Sequence, residues 1–402
     1  MIPFSPPRMD KKVVDEVSKA LLSGWITTGP RTKKFETELT KYIGCKKTIC
    51  LNSATAGLEL ILRWYGVKAG DEVIIPAYTY CATANVIMHC GATPVMVDIN
   101  EKDFNISVEA IKKAISPKTK VIMPVDISGF TCDFDEINAL VNDTEVKSKF
   151  KADTENQKKL GRILIMADAA HSIGATMNGK MSGNLTDVSV FSFHAVKNLT
   201  TAEGGAICMN FPAQFDCDEI YKDLNRMSLH GQSKDALAKT QVGNWRYDVL
   251  EAGYKCNMTD IQAAIGLVEL GRYESNLKRR KEIFNQYIGG FKTKDWAIIP
   301  SYLEDGKETS YHLFLLRIKN INEPKRDAIM QKIFAAGVSV NVHFQPLPLL
   351  TVYKNAGYKM SDYPVAWAKY ENEITLPVYF DLTDENVKTI VSAVVKAVEF
   401  EV

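Results

Sequence analysis

The stretch Val188-Ser-Val-Phe-Ser-Phe-His-Ala-Val-Lys-Asn-Leu-Thr-Thr-Ala-Glu-Gly-Gly205 decides how this chain is read. An apolar run, VSVFSF, gives way to a polar loop at His194. One lysine, Lys197, stands in that loop, and a Gly-Gly pair leads into a second apolar run, AICMN. A lysine just past a strand end sits at the rim of a sheet, where a low-dielectric pocket favours its neutral amine. Such an amine forms a Schiff base with a carbonyl. An earlier apolar run, Ile163-Leu-Ile-Met-Ala-Asp168, ends in a carboxylate. A lysine imine and an aspartate aimed at a pyridinium nitrogen are what pyridoxal 5′-phosphate (PLP) requires. Alone, each residue reads as a cap or a solvated charge of any α/β protein, so the case rests on the order of the other pieces.

Working outward, the pattern alternates. Apolar spacing predicts helices over 13–22 and 33–42, then a strand at KTICLNS and a helix at ATAGLELILRWYGV. Strands follow at EVIIP and TPVMVDI with a buried helix, TANVIMHC, between them. VEAIKKAI (helix), KVIMPVDI (strand), FDEINALV (helix) and RILIMADAA (strand) lead back to the opening stretch. Strands separated by helices indicate a mostly parallel central sheet with helices on both faces. The short gaps among the last three strands mark a local departure from that alternation. The charged segment 144–162 reads as a solvated extension. After Asn257 the pattern changes: a long helical region from Asp260 to about Tyr287, a strand at YHLFLLRI, a helix ending at Gly337, a strand at VSVNVHF and a closing helix at ENVKTIVSAVVKAVEF. This places a large unit at 1–265 and a smaller C-terminal α+β unit at 266–402.

The bulk numbers exclude some partners. Of the 402 residues, 46% are apolar and 24% charged, as in ordinary soluble domains. A net charge of +1 gives no reason to expect nucleic acid or an anionic membrane. Eight cysteines are scattered without a CxxC pair and read as reduced core residues of a cytoplasmic protein, with no metal site. MIPFSPPRMD has no signal-peptide pattern. Residues 73–97 lack Asp, Glu, Lys and Arg, but Pro76, His89, Gly91 and Pro94 interrupt them, so strand, helix and strand explain them better than a membrane span.

Three further places carry chemistry. Asn52-Ser53-Ala54-Thr55-Ala56-Gly57 joins a strand to a helix, where small residues let backbone N–H groups approach a phosphate. Ser and Thr there also cap helices without any ligand, and both readings stay open. Pro76-Ala-Tyr-Thr-Tyr80 offers an aromatic face for a flat ring, or a core tyrosine. Asp168-Ala-Ala-His171-Ser172 leaves room for a ring beside the carboxylate, with His171 a candidate partner for a phenolic oxygen or a structural histidine.

In this order the pieces resemble the nucleotide-sugar aminotransferases of the DegT/DnrJ type, with fold-type I architecture. The motifs are SGWITTGP (23–30), NSATAG (52–57), GDEVIIPAYTY (70–80), GATPVMVDI (91–99), ADAAHSIG (167–174), SFHAVKNLTTAEGG (192–205), GYKCNMTDIQAAI (253–265) and LPVYFDLT (376–383). The nearest likeness is to members that aminate C4 of a UDP-4-keto sugar, UDP-4-amino-4-deoxy-L-arabinose aminotransferases among them. The resemblance implies PLP, with pyridoxamine phosphate as intermediate, and Lys197 as Schiff-base lysine and proton shuttle. It implies Asp168 at the pyridinium nitrogen, Tyr80 stacked on the ring and His171 near the phenolic oxygen. Thr55, Ala56 and Ser192 would hold the phosphate, and Asn257 would reach the phosphate of a second subunit in a homodimer. The implied substrates are an amino donor, L-glutamate giving 2-oxoglutarate, and a UDP-linked keto sugar for surface polysaccharide.

The chain departs from the family in two places. Ala167 stands before Asp168 where an acidic residue is frequent, and segment 144–162 is longer than usual. Relatives with His in place of the lysine are dehydratases, and Lys197 argues against that lyase alternative. Amination at C3 of a dTDP sugar is the other alternative. Trp25, Tyr311, His312 and His343 are further candidates for touching substrate.

Overall fold

Apolar runs too long to leave one face wet become strands buried on both sides. In the computed structural model, which describes residues 1–233, 246–304 and 306–401, they are β1 (Lys47–Leu51), β2 (Glu72–Pro76), β3 (Thr93–Val97), β4 (Thr119–Ile122) and β5 (Leu164–Asp168). After the two-residue strands β6 (Thr176–Met177) and β7 (Lys180–Met181) come β8 (Val188–Ser192) and β9 (Gly205–Met209). The central sheet has the order β1-β9-β8-β5-β4-β2-β3. Its pairs are parallel from β8 to β3, while β9 runs antiparallel to both β8 and β1. The local departure expected from the short gaps is this one reversed strand.

Alternate residues feed opposite faces. Val73, Ile75, Val121, Leu164 and Met166 pack into one core with Leu58 and Ile61 of the helix Ala54–Tyr65. Ile74, Ile122 and Ile165 point the other way, against Phe134 and Ile137 of the helix Phe134–Asn142. Burying each such side chain contributes about 1.5–3 kcal/mol. The charged segment forms two short helices, Thr144–Lys149 and Glu155–Leu160. It also caps a neighbour: Thr154 Oγ1 and Gln157 Nε2 both donate to Tyr65 O at 3.1 Å, at the end of the helix Ala54–Tyr65.

The C-terminal part has its own antiparallel sheet, β10 (Ala297–Ile298), β13 (Phe314–Ile318) and β14 (Glu373–Leu376), in the order β10-β13-β14. The short strands β11 (Leu303–Glu304) and β12 (Lys307–Glu308) instead join β6 and β7. The helices Tyr273–Phe291, Glu323–Ala335 and Asp384–Glu401 cover a separate core around Phe284, Phe314, Ile329 and Ile390.

Two expectations need correction. The helical region after Asp260 is two helices, Asp260–Gly271 and Tyr273–Phe291, broken at Arg272 (φ −120°). The Arg272 guanidinium binds Asp10, Glu269 and the Arg8 carbonyl, which fixes the bend. The stretch VSVNVHF is not a strand; it makes only isolated bridges, Val338 to Ile2 and Asn341 to Thr375. Side chains take the backbone groups a ladder would use: His343 N–H donates to Glu373 Oε2 at 3.1 Å, and Tyr78 Oη donates to His343 O at 2.8 Å.

One close approach depends on glycine. A Cβ on Gly205 would stand 2.4 Å from Ala54 N and 2.5 Å from Ser53 C, so β9 lies flush against the start of the helix Ala54–Tyr65. Gly205→Ala is expected to lower stability by about 1–3 kcal/mol through overpacking. Gly271→Ala, where a Cβ meets nothing within 4 Å, should cost nothing. Urea denaturation of the two apoproteins checks this, and equal midpoints would remove the packing argument.

Candidate active site

The loops that leave the carboxyl ends of β1, β2, β5 and β8 converge, as open α/β sheets place their ligand crevices. A cavity of about 470 Å³ opens there. Ser53, Thr55, Tyr80, Asp168, His171, Ser192 and Lys197 all line it. The C-terminal part closes the far wall with His312, His343 and Phe344, and the N-terminal segment adds Phe4.

Asp168 ends β5 and is buried. Thr83 Oγ1 donates to its Oδ2 at 2.8 Å, and Ala170 N–H to its Oδ1 at 3.3 Å. Burial pushes its pKa up, against those two hydrogen bonds and the charge of Lys197. Lys197 sits in the loop between β8 and β9, turned back by its N–H to His194 O at 2.9 Å. The side chain projects into the cavity and keeps partial exposure, yet the surrounding protein desolvates its ammonium. Its pKa is lowered to about 8 by burial, with Asp168 pulling the other way.

His171 lies in the wall 4.5 Å from the ring of His312 and stacked on Phe344 at 5.7 Å. Burial, Lys197 and His343 hold its pKa far below the usual imidazole value, so the ring is neutral. Its Nδ1 is buried without a hydrogen-bond partner. Such an orphan costs about 1–3 kcal/mol until a ligand supplies a polar atom. Tyr80 is 60% exposed and presents an open face at the cavity rim. Ser53 caps the helix Ala54–Tyr65 by accepting from Ala56 N–H at 3.1 Å. Ala56 therefore serves the cap and does not line the cavity, while Ser53, Ala54 and Thr55 do. A flat, anionic, aldehyde-bearing cofactor suits this set: a helix N-terminus with hydroxyls, an open aromatic face, an amine, a carboxylate and an unpartnered imidazole nitrogen.

Asn257 stands apart. Its Nδ2 donates to Thr28 Oγ1 at 2.5 Å and its Oδ1 accepts from Lys255 Nζ at 2.6 Å, outside the cavity of its own chain. Of the four further candidates, His312 and His343 line the cavity. Tyr311 is buried, with its hydroxyl on Glu308 at 2.7 Å, and Trp25 Nε1 donates to Thr28 O at 3.0 Å. Sequence reasoning missed Thr83 and Asn198. Thr83 lies one helical turn beyond Tyr80, and that spacing was its only signal. Among the described residues no group of His, Cys, Asp and Glu is arranged to hold a metal ion.

Fold and cavity together define a PLP enzyme of fold-type I. Residues 7–395 match the DegT/DnrJ/EryC1/StrS aminotransferase family, and the chain belongs to that family. Among solved structures it is similar to Spr1654 of Streptococcus pneumoniae, assigned as a sugar aminotransferase: 47% identity, TM-score 0.97, each chain covered in full for the PMP form. The PLP form of the same protein gives 0.95 and 46%. Helicobacter pylori PseC, an aminotransferase of pseudaminic acid biosynthesis, is 26% identical with a TM-score of 0.86 over 99% of each chain. The spore coat polysaccharide biosynthesis protein SpsC of Bacillus subtilis is 35% identical over 98% of this chain and 96% of its own. The cofactor is PLP, and the chain is a PLP-dependent aminotransferase.

The lowered lysine pKa makes a measurable statement. A cationic acid whose pKa falls to about 8 gains its neutral amine as pH rises through that value. The rate at which apoprotein takes up PLP should therefore rise about tenfold per pH unit and level off above about pH 8, well before the value near 10.4 of a free lysine. Asp168→Asn removes the charge that raises Lys197, so the plateau should begin at lower pH. Borohydride reduction and peptide mapping should find the label on Lys197; label elsewhere, or a rate still climbing at pH 10, would overturn the assignment.

Proposed function

We propose that this enzyme transfers the amino group of L-glutamate to the C4 keto group of a UDP-linked keto sugar in the cytoplasm, for surface polysaccharide such as capsule or lipopolysaccharide. The observation that carries the amino-transfer part is Lys197, with its lowered pKa, beside the buried Asp168 in one cavity. The sugar part is supported by the order of motifs and by the relatives named for sugar amination and polysaccharide synthesis. The same reading divides the chain into a PLP-binding unit, 1–265, and a small unit, 266–402, with the boundary inside the helix Asp260–Gly271.

PLP, when bound, supplies an electron sink for negative charge at the donor's α-carbon. Lys197 Nζ would hold it covalently at rest and, once free, would carry a proton from the donor's α-carbon to the cofactor and, in the second half of the reaction, from the cofactor to the new amine carbon of the sugar. A pKa near 8 suits both directions, because acid and base forms coexist near neutral pH. Asp168 holds a proton on the pyridine nitrogen, and Thr83 and Ala170 keep the carboxylate aimed. Tyr80 covers the ring face, and His171 Nδ1 meets the phenolic oxygen. Ser192, Thr55 and the backbone N–H groups of Ala54 and Thr55 would hold the phosphate at the helix N-terminus, since the Ala56 N–H is taken by Ser53.

The direct test incubates holoenzyme with L-glutamate and a panel of nucleotide keto sugars, read by mass spectrometry. Amine and 2-oxoglutarate should form in equal amounts from a UDP-4-keto sugar. Turnover of dTDP-3-keto sugars alone would move the reaction to C3, and loss of water without gain of nitrogen would make the enzyme a dehydratase.

Asn257 is proposed to reach the phosphate of a second copy, so that a homodimer completes each site. A charge-assisted hydrogen bond contributes about 1.5–3 kcal/mol, so Asn257→Ala should weaken PLP retention about 10- to 100-fold. Mixing Asn257→Ala with Lys197→Ala protein tests the sharing. In a hybrid dimer one site carries both lesions and the other neither, so activity should reappear on subunit exchange. A hybrid as inactive as its parents, or an active monomer, would end the shared-site reading.

A further inference from the structure

His312 and His343 enter the cavity with different backing. Asn198 Nδ2 donates to Ser310 O at 2.8 Å, which leaves its Oδ1 to accept from His312 Nδ1–H at 2.8 Å. No group in that chain changes charge, so His312 keeps one tautomer, with Nε2 as an acceptor. His343 Nδ1 instead meets Thr375 Oγ1 at 3.1 Å, and Thr375 Oγ1 meets Glu373 Oε1 at 2.6 Å. The other carboxyl oxygen, Oε2, accepts from His343 N–H. Glu373 and Thr375 are wholly buried in β14.

A hydroxyl between a carboxyl and an imidazole relays direction. With Glu373 as carboxylate, Thr375 donates to it and accepts from His343 Nδ1–H, leaving Nε2 bare. With Glu373 protonated, its O–H donates to Thr375, which donates to Nδ1, and the ring proton moves to Nε2. We propose that Glu373 is a positioning residue that sets, through Thr375, which ring nitrogen of His343 carries the proton, and so whether Nε2 accepts or donates in the cavity. This rests on reading that cavity as the active site.

The electrostatics place the change in a useful range. Burial pushes Glu373 up to about 8, opposed by the Thr375 hydroxyl, the His343 N–H, Arg326 and Arg317. Neither arginine binds the carboxylate. Arg326, on the helix Glu323–Ala335, is engaged by Asp327 and the Tyr370 carbonyl, and Arg317, on β13, by Asn372. The Tyr78 phenol, after β2, also feels Glu373, and its own pKa lies far above this range. His343 is held down to about 3 by burial and by Lys197. Its ring therefore stays neutral throughout, and what changes is its tautomer, not its charge. A buried carboxyl with no ion pair among the described residues is costly, and the relay gives it a task.

Protein labelled with 15N-histidine tests this without turnover. The six histidines give few signals, and His343→Gln identifies the one in question. Titrated from about pH 6 to about pH 10, the two ring-nitrogen signals of His343 should exchange places, Nε2–H at low pH and Nδ1–H at high pH, while those of His312 stay put. In Glu373→Gln the His343 N–H fixes the amide oxygen, so the NH2 group donates to Thr375 and His343 should remain Nε2–H at every pH. Thr375→Val should also abolish the exchange and Thr375→Ser should keep it, a pair that decides the matter even where Glu373→Gln fails to fold. In holoenzyme, Glu373→Gln should remove one inflection from the pH profile of kcat/KM. A native His343 with a single tautomer throughout, or a Thr375→Val protein that still exchanges, would overturn the relay. Exchange as expected in a protein that transfers no amino group would instead leave the relay standing and remove the proposed reaction.

Discussion

A lysine and a carboxylate desolvated in one cavity without touching each other are the constraint on which the site depends. Burial drives Lys197 toward its neutral amine and Asp168 toward its neutral acid. A direct ion pair would cancel both effects and leave a fully protonated lysine of little use as a nucleophile. The structure prevents that by filling the carboxylate from other sides, with Thr83 on Oδ2 and Ala170 N–H on Oδ1. Lys197 then feels Asp168 as a partial restraint, and settles near 8.

Sheet order supplies the geometry. β5 and β8 are neighbours, with Asp168 opposite Val190, so the carboxylate arrives two residues before β8 ends at Ser192. The reversed β9 then returns the chain across the strand ends, and the intervening loop brings Lys197 back over the crevice. Below Asp168, the loop 169–172 is tied down by Ser172 Oγ, which donates to the buried Asp126 at 2.6 Å. Gly205 lets this hairpin press against the helix start beside it.

Much of this was legible because it is local. Strands β5, β8 and β9 are unbroken apolar runs that end at polar residues, and end position places Asp168, Ser192 and Lys197 together. What escaped is written in pairs far apart in the chain. Thr83 lies one turn past Tyr80, but nothing in the sequence pairs it with Asp168. Glu373 reads as one more charged residue in NEITLPV, and only the packing shows it buried behind His343. The segment 338–344 alternates as a strand should, but Tyr78 and Glu373 claim its backbone groups. The break at Arg272 is invisible because the apolar pattern continues past it while Asp10, near the N-terminus, holds the bend. Asn257, expected from the sequence to serve a second copy, makes its own-chain contacts outside the cavity.

The cavity's polarity follows from the same desolvation. His171, His312 and His343 all face Lys197, and its charge adds to burial in keeping each ring neutral. Three neutral imidazoles recognise a ligand by hydrogen-bond direction, not by charge. With Nδ1 held by Asn198 in His312 and by Thr375 in His343, each of these two rings meets a ligand with Nε2 alone, as an acceptor or a donor according to its tautomer. A substrate rich in hydroxyls with a carbonyl meets such a wall well. If the proposed relay holds, the residues behind His312 and His343, Asn198 and the Thr375–Glu373 pair, take part in recognition by fixing which tautomer each of those two rings presents.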